Sequence, residues 1–228
     1  ATAWRGAQLE PAALRQGDQA VIRLHPSNPH IADRVWANIG RVTGVIAERS
    51  GSRLVVDEGA TRKRQVIVIA PRAFGRIQVR FPTLEPGYLV DIIGLRRGEE
   101  LFGMIPATSQ PAYPAHRLPT PPLVSGHVPD SISGAATWHE PRDEPPGILG
   151  VPYLAIGSVL RVRNDCSGQD CLVPVTGCAF IARFFNDRCV TCGTSPRGRI
   201  ADLSLASFIA LGGDLERGCF NATITIGA

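Results

Sequence analysis

Cysteine is missing from the first 165 residues of this 228-residue chain, and all six cysteines fall between Cys166 and Cys219. A disulfide framework is therefore excluded from the N-terminal half. An even number crowded into one region points to disulfides in an oxidising compartment, extracellular or in the cell envelope. Long apolar runs are missing too: none approaches the roughly 20 residues a membrane-spanning helix needs. No Lys/Arg run is interleaved with aromatics and the net charge is only +4, so nucleic acid is not an expected partner. That mild positive charge still permits contact with acidic polymers, cell-wall glycans included. Cys189-x-x-Cys192 has no second Cys-x-x-Cys and no nearby histidine, so zinc is the weaker reading beside disulfides. No metal and no cofactor are expected. The chain opens at Ala1, which removal of a signal peptide or trimming of an initiator methionine would leave alike.

What is present is a β-rich composition. Hydrophobic residues make up 44%, enough for a packed core, and 24 glycines and 19 prolines accompany many short Val/Ile runs. These features predict an all-β chain of two domains. Residues 1–16 hold a helical turn around Pro11-Ala12-Ala13-Leu14. Strands are expected at Gln19–Leu24, Val35–Ala47 (with bends at Gly40 and Gly44), Arg53–Asp57 and Gln65–Ile69. Arg76–Phe81 alternates, with Ile77 and Val79 inward, and reads as another strand. Tyr88–Leu95 and Leu101–Ile105 form a hairpin through Arg96-Arg97-Gly98-Glu99. Leu84-Glu85-Pro86-Gly87-Tyr88 is similar to the lead-in of a late strand in small OB-like barrels, so residues 1–105 are expected to form a small OB-like β-barrel. His25 and His30 lie in a proline-bearing loop with Asp33 and read as solvated loop residues.

Residues 106–130 contain seven prolines and form a predicted linker of polyproline character. Residues 131–228 carry all six cysteines. Gly134–Trp138 is the first expected strand. In Gly157–Asn164, Val159, Arg161 and Arg163 alternate with Leu160 and Val162. Leu172–Val175 returns from a turn flanked by Cys166 and Cys171, which a disulfide could staple if their Cα atoms approach within about 7 Å. Strands follow at Cys178–Phe185 and Phe220–Ile226. Between them Asp202 or Ser204 can cap a short helix that carries Leu203, Phe208 and Leu211 and stops at Gly212-Gly213.

Four segments of this half, in order and spacing, resemble the rare lipoprotein A-like double-psi β-barrel family, kin to expansins, barwin-type proteins and family-45 endoglucanases. Gly134-Ala135-Ala136-Thr137-Trp138 is similar to its opening strand. Leu154–Asn164 is similar to "L-P-x-G-T-x-V-x-V-x-N", Asn186-Asp187-Arg188 to "N-D-R-G-P", and Gly198–Ser204 to "G-R-I-I-D-L-S". The resemblance implies a six-stranded double-psi barrel with a short helix and an open groove for polysaccharide. It also implies a catalytic contribution from the aspartate matching Asp187. The family's "T-A-x-G-E" acidic segment is absent, and Cys189-Val190-Thr191-Cys192-Gly193 replaces its "G-P".

Glycosidic cleavage needs a proton donor, and hydrolysis commonly adds a second carboxylate about 5–9.5 Å away. Asp187 is the candidate acid, with Glu140 and Glu144 as weaker seconds. Trp138, Asn186 and Arg188 are candidate glycan contacts, with a core position as the alternative for Trp138. Asp187 serves equally as a loop carboxylate that pairs with Arg188 or accepts backbone N–H bonds. Asp202 and Ser204 read as structural, and Cys166, Cys171, Cys178, Cys189, Cys192 and Cys219 as disulfide partners. Asn221-Ala222-Thr223 fits a glycosylation sequon inside a predicted strand. The expected function is a secreted cell-wall protein that binds peptidoglycan or a similar glycan, with cleavage left open by the missing acidic segment. The alternative is a non-catalytic subunit of a filament, surface layer or phage particle, whose partners are copies of itself or other surface proteins.

Overall fold

A computed structural model describes residues 1–59, 63–108, 114–117, 130–140, 146–149, 154–177 and 187–226. The chain divides into two compact units, Ala1–Pro106 and Ala107–Ala228.

In the first unit, β1 (Thr2–Trp4), β2 (Gln8–Leu9), β3 (Ala20–His25) and β4 (Asn28–Ala37) make a sheet ordered β2-β1-β4-β3. The Pro11 segment is a single 3-10 turn, Pro11–Ala13. The expected His25–His30 loop shrinks to a tight hairpin turn, because β4 already begins at Asn28. Asp33 pairs there with Arg23 at 2.7 Å, and His25 Nδ1 accepts the Ser27 N–H.

β4 is followed by Asn38, whose φ of 54° only glycine and short polar residues adopt readily. Its side chain secures that conformation: Nδ2 donates to Asp18 at 2.7 Å and Oδ1 accepts from the Gln19 N–H at 2.8 Å. The Arg15 N–H most strongly, then the Asn38 amide and the Arg5 guanidinium, hold the Asp18 carboxyl below its ordinary range. The single strand expected over Val35–Ala47 is therefore interrupted at Asn38. Gly40 and Gly44 lie inside the next strand in unbroken register rather than at bends, and Gly44 must be glycine because a Cβ there would sit 2.3 Å from the Asp57 carbonyl oxygen.

β5 (Ile39–Ser50), β6 (Arg53–Asp57), β7 (Gln65–Ile69), β8 (Leu89–Arg97) and β9 (Glu100–Pro106) close a barrel in the order β5-β6-β7-β9-β8. The first strand closes onto the fourth and the third runs parallel to the fifth, which is the OB arrangement. Val42, Ile46, Leu54, Val56, Ile67, Ile69, Ile92 and Leu101 fill it, and burial of each such side chain is worth about 1.5–3 kcal/mol. Arg76–Phe81 is not a strand. Pro71 opens a 3-10 turn that runs into α1 (Phe74–Arg80). The buried residues are Ala73, Ile77 and Phe81, spaced by four, while Val79 is 84% exposed. A short I-x-V pair fits either period, and the four-residue spacing wins. On the outer side of β5, Arg41 and Thr43 both bond the buried Asp91 of β8.

In the second unit, β10 (Ser131–His139), β11 (Ile148–Leu149), β12 (Val159–Asn164), β13 (Asp170–Gly177), β14 (Arg199–Ser204) and β15 (Cys219–Ile226) close a six-stranded barrel ordered β10-β14-β11-β13-β12-β15. β10 runs parallel to β14 and β11 parallel to β13; the other pairs are antiparallel. β12 alternates as expected: Leu160, Val162 and Asn164 are buried, Val159, Arg161 and Arg163 exposed. After β14 comes α2 (Leu205–Ala210). Ser204 caps it by accepting the Ser207 N–H, and the helix stops at Gly212, with φ 75°. Cys178–Phe185 lies outside the described residues.

Candidate functional site

Period-two alternation decides what β10 and β14 show on each side. Ala136, Trp138, Ala201 and Leu203 face the barrel core. Thr137 and His139 face outward on β10. The parallel register sets Thr137 opposite Asp202 and His139 opposite Ser204. An irregularity at Ile200 keeps Arg199, opposite Ala135, on the same outer side. The outer wall of two neighbouring strands therefore carries Arg199, Thr137, Asp202, His139 and Ser204 in one row.

Within the row Asp202 accepts the Thr137 hydroxyl at 2.9 Å, and its other oxygen lies 3.6 Å from His139 Nδ1. That is too long for a hydrogen bond and close enough for an ion pair once the imidazole is protonated. Thr137, His139 and Asp202 are each less than 10% exposed. Asp202 thus belongs to a strand and does not cap the helix; Ser204 alone does. A parallel partner some 65 residues earlier supplies its hydrogen bond, which local capping patterns do not register.

Asp187 meets the row through Arg199. The guanidinium donates from Nε to one carboxylate oxygen at 3.0 Å and from Nη2 to the other at 3.3 Å, with side chains only 1% and 9% exposed. A two-point charge-assisted bond of this kind holds a carboxylate as an acceptor. Trp138 takes the core alternative: it is fully buried, and its Nε1 donates to the Leu215 carbonyl at 3.0 Å, so it presents no face to a sugar. Arg188 is exposed. Glu140 follows His139 at the end of β10 and is half-buried. Asn186 and Glu144 lie outside the described residues.

The cysteines rebuild the loop that follows Asp187. Cys166 bridges Cys192, and Cys189 bridges Cys219, with Cα separations of 5.4 and 6.0 Å. Cys189-x-x-Cys192 therefore neither closes on itself nor offers thiolates to a metal. Each half ties the loop to a different segment. Thr191 donates to the Cys219 carbonyl, Asn221 Nδ2 donates to Gly193 O at 2.8 Å, and the Cys189 N–H reaches Ser195 Oγ. The loop is thus pinned along β15. Asn221 Nδ2, the atom a sequon glycan would join, is engaged in that contact.

The expected Cys166–Cys171 staple does not form, and Cys171 is a free thiol, so it leaves the disulfide set. Register explains this: Cys171 pairs with Val162 inside the β12–β13 ladder, whereas Cys166 lies beyond the ladder in the turn. Cys178 lies outside the described residues. Partial burial, and then the Asp170 charge, push the Cys171 thiol above its ordinary value. Its iodoacetamide labelling under native conditions should accordingly be slow near pH 7 and climb on a curve displaced to higher pH than glutathione's. A curve at or below the glutathione curve would contradict the placement.

No family model matches the chain, and no curated protein matches it either.

Proposed function

We propose that the chain is a secreted, cell-envelope protein that binds peptidoglycan or a similar glycan at the outer side of β10 and β14. Asp202, not Asp187, is the carboxylate that meets the sugar. The observation that carries this reading is the contrast between the two aspartates. Asp187 is locked to Arg199, whereas Asp202 stands beside a hydroxyl and an imidazole that can share a proton with a ligand. Further support comes from the motif order, since the segments matching the opening strand and "G-R-I-I-D-L-S" are hydrogen-bonded parallel neighbours in a closed six-stranded barrel. The two disulfides fit an oxidising compartment.

Sedimentation with purified sacculi tests the reading. Wild type should co-sediment. Asp202→Asn should weaken binding about tenfold, the scale of a lost charge-assisted hydrogen bond. Asp187→Asn should instead lower the melting temperature of this unit and leave glycan affinity within about twofold. Release of soluble muropeptides by wild type but not by Asp202→Asn would add cleavage. Failure of the wild type to sediment would end the proposal.

A second reading, a subunit of an extracellular assembly, is favoured by β3. Among the described residues this strand ends its sheet with one edge unpaired, and Ile22, Leu24 and nearby Ile31 are about half exposed. Its one charge, Arg23, is tied to Asp33. Concentration-dependent association that Ile22→Lys abolishes would support this reading.

A further inference from the structure

Three of the four bridged cysteines line one cleft. It has a volume of about 260 Å³ and lies between the turn after β12, the loop from Asp187, and the connection from α2 to β15. The Cys166–Cys192 bridge forms part of its wall, and Cys219 ends another side. Asn164 sets the floor. Its Nδ2 donates to the Leu211 carbonyl at 2.7 Å, and its Oδ1 accepts the N–H groups of Cys166 and Ser167. Gly212 permits the close approach of the third segment, since a Cβ there would meet Gln169 Oε1 at 2.4 Å. Covalent bridges and a satisfied buried amide make the shape rigid before any ligand arrives.

Charge is placed on one side of this frame. Arg217, 57% exposed, points its Nε at Asp214 at 3.4 Å. That contact uses the Nε side of the guanidinium and leaves the Nη1/Nη2 edge for a second, two-point partner. Among the described residues of the lining the one aromatic is Phe220, which is 1% exposed and gives a sugar ring nothing to stack on. The volume falls below the about 300–1,000 Å³ of sites that enclose drug-sized ligands.

We infer that this cleft is a second binding site, for a small group that carries a carboxylate and an ammonium together, such as the diamino-acid end of a wall peptide stem. The carboxylate docks on the Arg217 fork, and the ammonium lies toward Asp214, Ser167 and Thr191. The wall as the source of this group rests on the function proposed above; the chemistry of the cleft does not.

The first test is an NMR titration of the oxidised protein with a synthetic stem tripeptide that ends in a diamino acid. Amide shifts should centre on Ser167, Thr191, Gly212 and Arg217. Arg217→Ala should weaken binding about tenfold or more, the scale of a two-point charge-assisted contact. Arg217→Lys should recover only part, because an ammonium has no fork. Ser167→Trp should block the cleft with both disulfides intact, shown by an unchanged count of free thiols. Shifts elsewhere, or affinity indifferent to Arg217, would overturn the inference.

The second test compares intact sacculi with glycan strands stripped of peptide by an amidase. Wild type should prefer intact sacculi, and Arg217→Ala should lose that preference while binding stripped strands as wild type does. Equal binding to both, unchanged by Arg217→Ala, removes the stem site and leaves the glycan proposal standing. Tripeptide binding in the cleft without any binding to stripped strands does the reverse.

Discussion

Asp91→Ala is expected to cost the N-terminal unit about 3–5 kcal/mol, because it strands a guanidinium that has no route to water. Arg41 donates to Asp91 from Nε at 2.9 Å and from Nη2 at 2.7 Å, and Thr43 adds a third bond at 3.0 Å. The paired side chains are 1% and 0% exposed. The pair itself adds little net stability over an apolar substitute of the same volume, since both ions were desolvated to form it. The double variant Arg41→Met/Asp91→Leu should therefore recover most of the loss. Urea unfolding in a Trp138→Phe background, where Trp4 and Trp36 report on this unit alone, gives the comparison. A cost below about 1 kcal/mol for Asp91→Ala would mean that water reaches Arg41 after all.

The second large effect belongs to the other unit. Cys189→Ala/Cys219→Ala should destabilise it by about 3–4 kcal/mol, as the chain-entropy treatment gives for a bridge spanning 30 residues. Cys166→Ala/Cys192→Ala, spanning 26, should cost a similar amount. The losses differ in what they free. Cys189 lies two residues beyond Asp187, so losing its bridge should also loosen the Asp187–Arg199 bond and open the neighbouring Arg188 to trypsin. Calorimetry and limited proteolysis read the two effects separately. An unchanged upper transition together with an uncut Arg188 would show that hydrogen bonds alone pin the loop.

Much of the architecture was legible because it is written in local pattern. The strict alternation of Val159–Asn164 and the hairpin of Tyr88–Leu95 with Leu101–Ile105 each need only a few neighbouring residues to be recognised. Two failures have the same root. Arg76–Phe81 was too short to separate a period of two from one of 3.6 until the burial of Ala73 and Phe81 extended the register. Asp202 sits two residues before a real helix cap and imitates one, but its partner Thr137 comes from a strand that pairs across the sheet. The site was partly hidden for a related reason. Thr137, His139, Asp202 and Ser204 are polar residues at period two in two separate apolar strands, and only their parallel pairing gathers them. The disulfide pattern was beyond reach, since six cysteines allow 15 connectivities. The nearest-neighbour pairing, Cys166 with Cys171, fails on ladder register.

The uneven distribution of sulfur has a practical consequence for how the molecule matures. No cysteine lies between Ala1 and Cys166, so the OB barrel needs no oxidant. If the chain is exported from its N-terminus, that barrel can condense as it emerges, ahead of any thiol oxidase. The second barrel must then wait for two bridges that join distant segments, the closing strand β15 among them. Production in a reducing cytosol should accordingly yield a chain native at its front and unfinished at its back. The oxidation step, rather than chain folding, would then set the pace of assembly.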